Sequence, residues 1–204
     1  MALSGPLSRR AALALITASA ALAAAPGRAA ALTETEAEGF VRQVVDEVVS
    51  LVESGKPAPE QQSGFRALFA RRAAVPSVVR FIMGATWRDM SGAQQAAMED
   101  AFLDYVARVY SELLSSYSGQ RIEIGQVQDF GRKGILVTST ARGEGVEDVA
   151  VEWLVSDRGG SGPQLVDVVI EGLSMLQSQR QEFAAMLDKR GGDVDQLIAD
   201  LRAG

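Results

Sequence analysis

The stretch LVDVVIEGLSMLQSQRQEF, Leu165 to Phe183, changes its period in the middle. Val166, Val168 and Ile170 alternate with Leu165, Asp167, Val169 and Glu171, the two-residue repeat of a strand. Beyond Gly172 the apolar positions Leu176, Phe183, Met186 and Leu187 follow helical spacing. Ser174 with Gln177 three residues later is a capping box, so EGLS reads as a strand-to-helix junction. Gly172 allows its tight backbone and Ser174 caps the helix. Two acids on so apolar a strand pose the functional question. Asp167 and Glu171 are either a catalytic pair or the polar edge of a wall around something apolar.

Working back from this junction, the same alternation occurs three more times. RIEIGQVQDF (residues 121–130) alternates up to Gly125, where a bulge is expected. GILVTSTARG (134–143) and DVAVEWLVSD (148–157) come next, the latter with Val149, Val151, Trp153 and Val155 on one face. RGEG and DRGGSG between them have the composition of hairpin turns. The expectation is a four-strand antiparallel meander.

Helical signals flank it. Thr33 with Glu36 is a capping box, and Ala37, Val41, Val44, Val45, Val48 and Val52 keep one face apolar up to Gly55. KPAPE (56–60) reads as a turn, Phe65, Leu68 and Phe69 mark a second helix, and Pro76 suits the first turn of a third that ends at Gly84. Ser91 with Gln94 starts the longest helix. Its stripe runs through Met98, Phe102, Tyr105, Val106, Val109, Tyr110 and Leu113, with Gly119 as terminator after Tyr117. After the junction helix stops at Gly191-Gly192, Asp193 with Gln196 caps a last one carrying Leu197, Ile198 and Leu201. Helices, then a meander, then helices predict an α+β domain with helices packed on one face of a curved antiparallel sheet of about four strands.

The N-terminus has a different character. Arg9 and Arg10 precede the uncharged run from Ala11 to Ala25, and Pro26 leads to small residues at Ala29–Ala31. That is the order of a secretory signal peptide, with cleavage expected after Ala31. SRRAAL also resembles a twin-arginine export signal. Residues 32–204 are then one domain, and removing residues 1–31 takes away Arg9, Arg10 and Arg28 but no acid, shifting the formal charge from −6 to −9. Such a balance argues against nucleic acid or an anionic membrane surface as partner.

Chemistry is sparse. The chain has no cysteine and no histidine, which removes disulfides, thiol nucleophiles, Cys/His zinc sites and the usual imidazole base. On a strand, Asp167 and Glu171 stand about 13 Å apart at roughly 3.3 Å per residue, against about 5–9.5 Å for paired glycosidase carboxylates. GKP and RGGSG lack the context of a phosphate loop, and no acidic cluster has calcium-loop spacing. From its residues alone the chain is an exported α+β domain with an apolar stripe and no catalytic constellation.

A resemblance extends this reading. FIMGATWRDMSGAQQAAMEDAFLDYVARVYSELLSSYSGQ resembles the central segment of the MlaC family, periplasmic phospholipid-binding components of an ABC-type lipid transport pathway. The family's Leu-Gly, aromatic-Trp-Arg, Ser/Thr-x-x-Gln and Tyr-x-Gly correspond here to Met83-Gly84, Thr86-Trp87-Arg88, Ser91 to Gln94, and Tyr117-Ser118-Gly119. DVVIEGLSM is similar to the family's Asp-x-x-x-Glu-Gly-x-Ser, carried by Asp167, Glu171, Gly172 and Ser174. Thr86 replaces the usual aromatic, and Pro163 stands where the family has a tryptophan before the last strand. The resemblance covers roughly residues 35 to 202. It implies a cystatin/NTF2-like fold with a lipid pocket between sheet and helices. It also implies a monomeric shuttle, with bound phospholipid as its cargo and no cofactor, between an outer-membrane Mla lipoprotein complex and an inner-membrane Mla ABC transporter complex.

On that implication the expected pocket lining is Phe81, Trp87, Phe102, Val106, Val109 and Leu113 from the helices. The sheet and junction are expected to add Val137, Val151, Trp153, Val168, Ile170 and Met175. About half of these are expected to touch lipid and the rest to be plain core. Asp167 and Glu171 then become structural groups at the rim or junction. Three alternatives stay open. An enzyme on the same scaffold would need an acid or base such as Asp104 or Tyr105 facing the pocket. An interaction module would have its stripe fully packed, and a carrier of the hopanoid-associated branch would hold a different lipid.

Overall fold

The computed structural model describes residues 31–114 and 119–203. The expected signal segment, and Tyr117 at the end of the long helix, lie outside the described residues. The described chain runs α1 (Glu34–Val52), α2 (Ala58–Arg72), α3 (Val75–Met83), a 3₁₀ turn at Thr86–Arg88 and α4 (Gly92–Leu114). Then come β1 (Arg121–Asp129), β2 (Ile135–Arg142), β3 (Val149–Ser156), β4 (Gln164–Ile170), the two-residue β5 (Leu173–Ser174), α5 (Met175–Asp188) and α6 (Val194–Ala203). The strands form one antiparallel sheet in chain order, four long strands with β5 added at the edge.

Local chemistry sets most of these boundaries. Thr33 and Glu36 make both bonds of their capping box, and Ser91 and Gln94 do the same for α4. The second helix starts earlier than its sequence suggests. Pro57 is its N-cap and Pro59 sits in its first turn, where a missing N–H costs nothing, so only the front of KPAPE is a turn. Gly84 ends α3 at φ 56° with a backbone that L-residues avoid.

Two bulges shape the sheet. In β1, Gly125 and Gln126 together face Thr138, between the pairs Ile124–Ser139 and Val127–Val137. The Gln126 N–H donates to Thr138 Oγ1 at 2.7 Å, and a Cβ on residue 125 would lie 2.7 Å from that oxygen, so only glycine fits. In β4 the extra residue is Val166, because Leu165 pairs with Val155 while Asp167 pairs with Leu154. This corrects the simple alternation. Leu165 lies on the face of Val168 and Ile170, not on that of Asp167, and is buried there.

The inner face of the sheet meets α1. Ala37, Phe40, Val41 and Val44 pack on Ile135, Val137, Val155 and Leu165. A second core lies among the helices, where Met98, Phe102, Tyr105 and Val106 of α4 meet α3, Phe183 of α5 and the Leu197–Leu201 stripe of α6. The Phe183 ring meets both Phe102 and Tyr105 in T-shaped contacts, with centroids 5.9 and 5.4 Å away. The link from α2 to α3 ties the two cores together. Ala73 pairs with Leu165 in a parallel bridge, and the Ala74 N–H donates to the Leu165 carbonyl at 2.8 Å.

Candidate functional site

Between these two cores lies an apolar cavity of about 220 Å³. Its walls come from seven elements. Val44 and Val48 of α1 and Phe65, Leu68 and Phe69 of α2 form one side, and Val78 and Ile82 of α3 with Phe102, Val106 and Tyr110 of α4 form another. Trp153 of β3, residues 165–168 and Ile170 of β4, and Met175, Leu176 and Gln179 at the start of α5 complete it. The polar side chains on it are Arg72, Asp167, Gln179 and the Tyr110 phenol.

Each wall stripe follows from its element. On α2, Phe65, Leu68, Phe69 and Arg72 are spaced by three and four and so share one face. On α5, Met175, Leu176 and Gln179 do the same, and the next step, Phe183, enters the helical core. On the sheet, Trp153 and Val168 are directly opposed across β3 and β4. The Trp153 indole N–H donates to Ser139 Oγ at 2.9 Å, and that hydroxyl donates to the Val151 carbonyl at 3.0 Å. The ring is therefore fixed and its polar atom faces away from any apolar occupant.

Asp167 and Glu171, the acids that posed the functional question, both have structural partners. Asp167 accepts from the Ser174 hydroxyl at 2.5 Å and from the Leu176 N–H at 2.9 Å, which caps α5 from the preceding strand. Ser174 accepts from the Gln177 N–H at 3.1 Å, so Ser174 and Asp167 share the cap, one at the Gln177 N–H and the other at the Leu176 N–H. Glu171, at φ 49°, turns the chain and accepts from the Ala150 N–H at the end of β3. Their roles are a cap and a strand end.

Six of the twelve expected lining residues stand on the cavity: Phe102, Val106, Trp153, Val168, Ile170 and Met175. Five do not, each for a geometric reason. Phe81 is one residue before Ile82, which turns it about 100° around α3 at 3.6 residues per turn, and it stacks under the Arg180 guanidinium at 4.8 Å. Val109 precedes Tyr110 in the same way and packs on the helical core, as does Trp87, whose carbonyl accepts from Gln95 Nε2 at 2.9 Å. Val137 and Val151 face inward but are buried in the packed part of the sheet, Val137 beneath α1. The side chain of Leu113 lies outside the described residues.

The expectation also missed α1 and α2 as walls. Their stripes were visible, but no local pattern distinguishes a stripe that meets a cavity from one that meets a core. Arg72 was missed too. It pairs with Glu47 of α1 and lies 5.5 Å over the Phe40 ring. That bond with Arg72 holds the Glu47 carboxyl below its usual range. Asp104, one of the two possible catalytic groups, accepts from Arg66 Nε at 2.6 Å and is not on the cavity wall. Tyr105, the other, is buried in the helical core. Among the described residues no cluster of acids could hold a metal ion, and no helix is long and apolar enough to cross a membrane.

Three comparisons bear on this geometry. The model of the family described as MlaC protein matches residues 42–203. The intermembrane phospholipid transport system binding protein MlaC of Haemophilus influenzae is 21% identical over 181 residues, covering 84% of this chain and 83% of that protein. Among solved structures, the phospholipid-binding protein of Ralstonia solanacearum in complex with a phospholipid superposes with a TM-score of 0.67 at 25% identity. The match covers 81% of this chain and 94% of that one.

Proposed function

Since this chain belongs to the MlaC family, we propose that it is a periplasmic lipid carrier. It holds the acyl chains of a phospholipid in the cavity between sheet and helices and moves them between complexes at the outer and inner membranes. The N-terminal signal segment directs export and is cleaved after Ala31. The observation that carries this reading is the cavity itself, walled by apolar side chains from seven elements and with both nearby acids engaged in structural bonds.

The physical task matches such a site. Two acyl chains carry about 30 methylenes, and at roughly 0.8 kcal/mol each their exposure to water costs on the order of 20 kcal/mol. A carrier lowers that barrier by offering apolar walls, and needs no bond-making step. The cavity of about 220 Å³ is smaller than the roughly 300–1,000 Å³ of drug-sized ligand sites. Glu47, Arg71 and Arg72 tie α1 to α2 beside it. Affinity should match that of a bilayer rather than exceed it, because cargo must leave again.

Native mass spectrometry of the mature protein taken from the periplasm without unfolding, with solvent extraction of any cargo, tests this. Diacyl phospholipid near one per chain is the expected result. A protein that arrives empty and takes no lipid from liposomes would overturn it.

A further inference from the structure

The residue after the expected cleavage point already has a place in the fold. Ala31 is exposed, whereas Leu32 is half-buried and packs on the core between α1 and the sheet. From that position, just before the Thr33 cap, a residue staples the start of a helix. The Leu32 N–H donates to Asp157 Oδ2 at 3.0 Å, a half-buried contact between residues 125 positions apart. The turn that carries Asp157 is itself fixed. The Asp157 carbonyl accepts from the Gly160 N–H at 2.9 Å and closes the turn after β3. Arg158 donates its backbone N–H to Ser156 Oγ at 3.3 Å and its Nη1 to the Arg132 carbonyl at 2.9 Å. Among the described residues the Asp157 carboxylate takes no other hydrogen bond and pairs with no cation. A carboxylate offers about four acceptor positions, so one neutral N–H leaves most of them open.

We infer that Asp157 is the receptor for the α-ammonium made by export processing, which starts the mature chain at Leu32 and pairs its new charge with this carboxylate. The inference rests on the export step of the proposed function and deepens it, by giving the new terminus a partner. Hydrolysis of the Ala31–Leu32 bond by a signal peptidase puts the hydroxyl of water on the Ala31 carbonyl carbon. The hydrogen goes to the Leu32 nitrogen, which takes a further proton from solvent and becomes a cation with three donors. One neutral contact thus becomes a half-buried ion pair between the front of α1 and the end of β3. A chain starting at Ala31 or earlier would keep a neutral N–H on Asp157, and one starting at Thr33 would lose Leu32 from the core. The positive end of α1 opposes a cation here, and Glu34 and Glu36 in its first turn offset it. Glu36 holds the Thr33 N–H and hydroxyl, and the Arg158 guanidinium is drawn off to the Arg132 carbonyl, so neither competes for the pair. Since α1 carries Val44 and Val48 of the cavity wall, the pair holds that wall more firmly in the exported chain than in its precursor.

The test uses the mature protein taken from the periplasm. Its intact mass and N-terminal sequence should give Leu32 as the first residue. The α-amine is then titrated by trace acetylation from about pH 6 to 10, with Lys56, Lys133 and Lys189 as references, and read by peptide mass spectrometry. The free peptide of residues 32–42 keeps Glu34 and Glu36 but lacks Asp157, and its amine should titrate near the ordinary value of about 7.7–8.0. In the protein the midpoint should be higher, and acetylation at about pH 7.5 about three- to tenfold slower, the range of a half-buried ion pair. Burial alone would slow the reaction at every pH without raising the midpoint. Asp157→Asn should bring the midpoint back to that of the peptide. A processed chain that starts at any other residue overturns the inference. So does a wild-type midpoint no higher than the peptide's, which needs no variant, and so does a raised midpoint that survives Asp157→Asn. A chain that keeps residues 1–31, or never reaches the periplasm, is a different result: it removes the export reading on which the inference stands.

Discussion

The inner face of the sheet has two halves built to one pattern and put to different uses. Val137, Trp153 and Val168 form a single cross-strand row over β2, β3 and β4. At one end of the row Val137 is fully buried beneath α1, which fills the space with Phe40, Val41 and Val44. At the other end Trp153 and Val168 face the cavity. Alternating apolar residues make a strand with a greasy face, but what covers that face is decided by helices distant in sequence. A carrier therefore needs no special strand. It needs a covering layer that stops short, as α1 does here, and a second layer of helices that does not fill what is left.

The largest test of this contrast is to fill the open half. Val168→Trp places an indole in the cavity and should lower lipid load by about tenfold, equivalent to 1.4 kcal/mol, while the urea midpoint stays near that of the wild type. Val151→Trp, one strand over and already in packed surroundings, should instead overpack and cost about 1–3 kcal/mol of stability. Undiminished lipid load in Val168→Trp would show that the row has no open end.

Truncation sharpens the contrast from the other side. Val137→Ala removes buried methyl groups from packed surroundings and should cost about 2–3 kcal/mol, transfer plus the new void. Val168→Ala enlarges a space that already exists, so its cost should stay below about 1 kcal/mol. Urea unfolding of the two variants decides it, and equal losses would mean that α1 covers both ends alike. A smaller effect is expected at the junction. Asp167→Asn keeps size but weakens the cap on the Leu176 N–H, and about 1 kcal/mol of stability should go with it. Lipid load should fall only if the start of α5 also shifts Met175 and Gln179.

Much of this was legible in the sequence, and the limits have physical causes. The strands, their faces and the Gly125 bulge follow from period and glycine placement. The capping boxes at Thr33 and Ser91 place two helices to the residue. The Val166 bulge was not legible, because an extra residue in an unbroken Leu-Val-Asp-Val run leaves no mark, and Leu165 was consequently put on the wrong face. Phe81 and Val109 were misassigned because a stripe counted at steps of three and four has a width, and one residue either way turns a side chain from cavity to core. Gln179 could have been found as a polar residue in the Met175–Phe183 stripe, but an amide at helical spacing on a surface helix is ordinary until its burial is known.

The smallest expected effect separates the two halves by pH. Burial raises the phenol of Tyr110 on the cavity wall above its ordinary value of 10.0, and the bond from Gln179 only partly offsets this. With the folded value raised, the unfolded chain gives up its proton first as pH climbs, so the folded state binds more protons above about pH 10 and stability falls with rising pH. At pH 9 and below, this group contributes no slope. Tyr110→Phe should therefore flatten the alkaline end of the stability curve and leave the neutral region parallel to wild type. Beneath α1 the packed sheet residues are Ile135, Val137, Val155 and Leu165, whereas the two tyrosines among the described side chains, Tyr105 and Tyr110, both pack with the helical core. Cargo adds a second lever, since lipid against Tyr110 removes water that would otherwise help ionise it. Phenolate absorbance, taken as the difference between wild type and Tyr110→Phe, should appear at higher pH in lipid-loaded than in lipid-free protein. Coincident titrations would mean that the occupant does not reach Tyr110, and would put the acyl chains elsewhere along the open half.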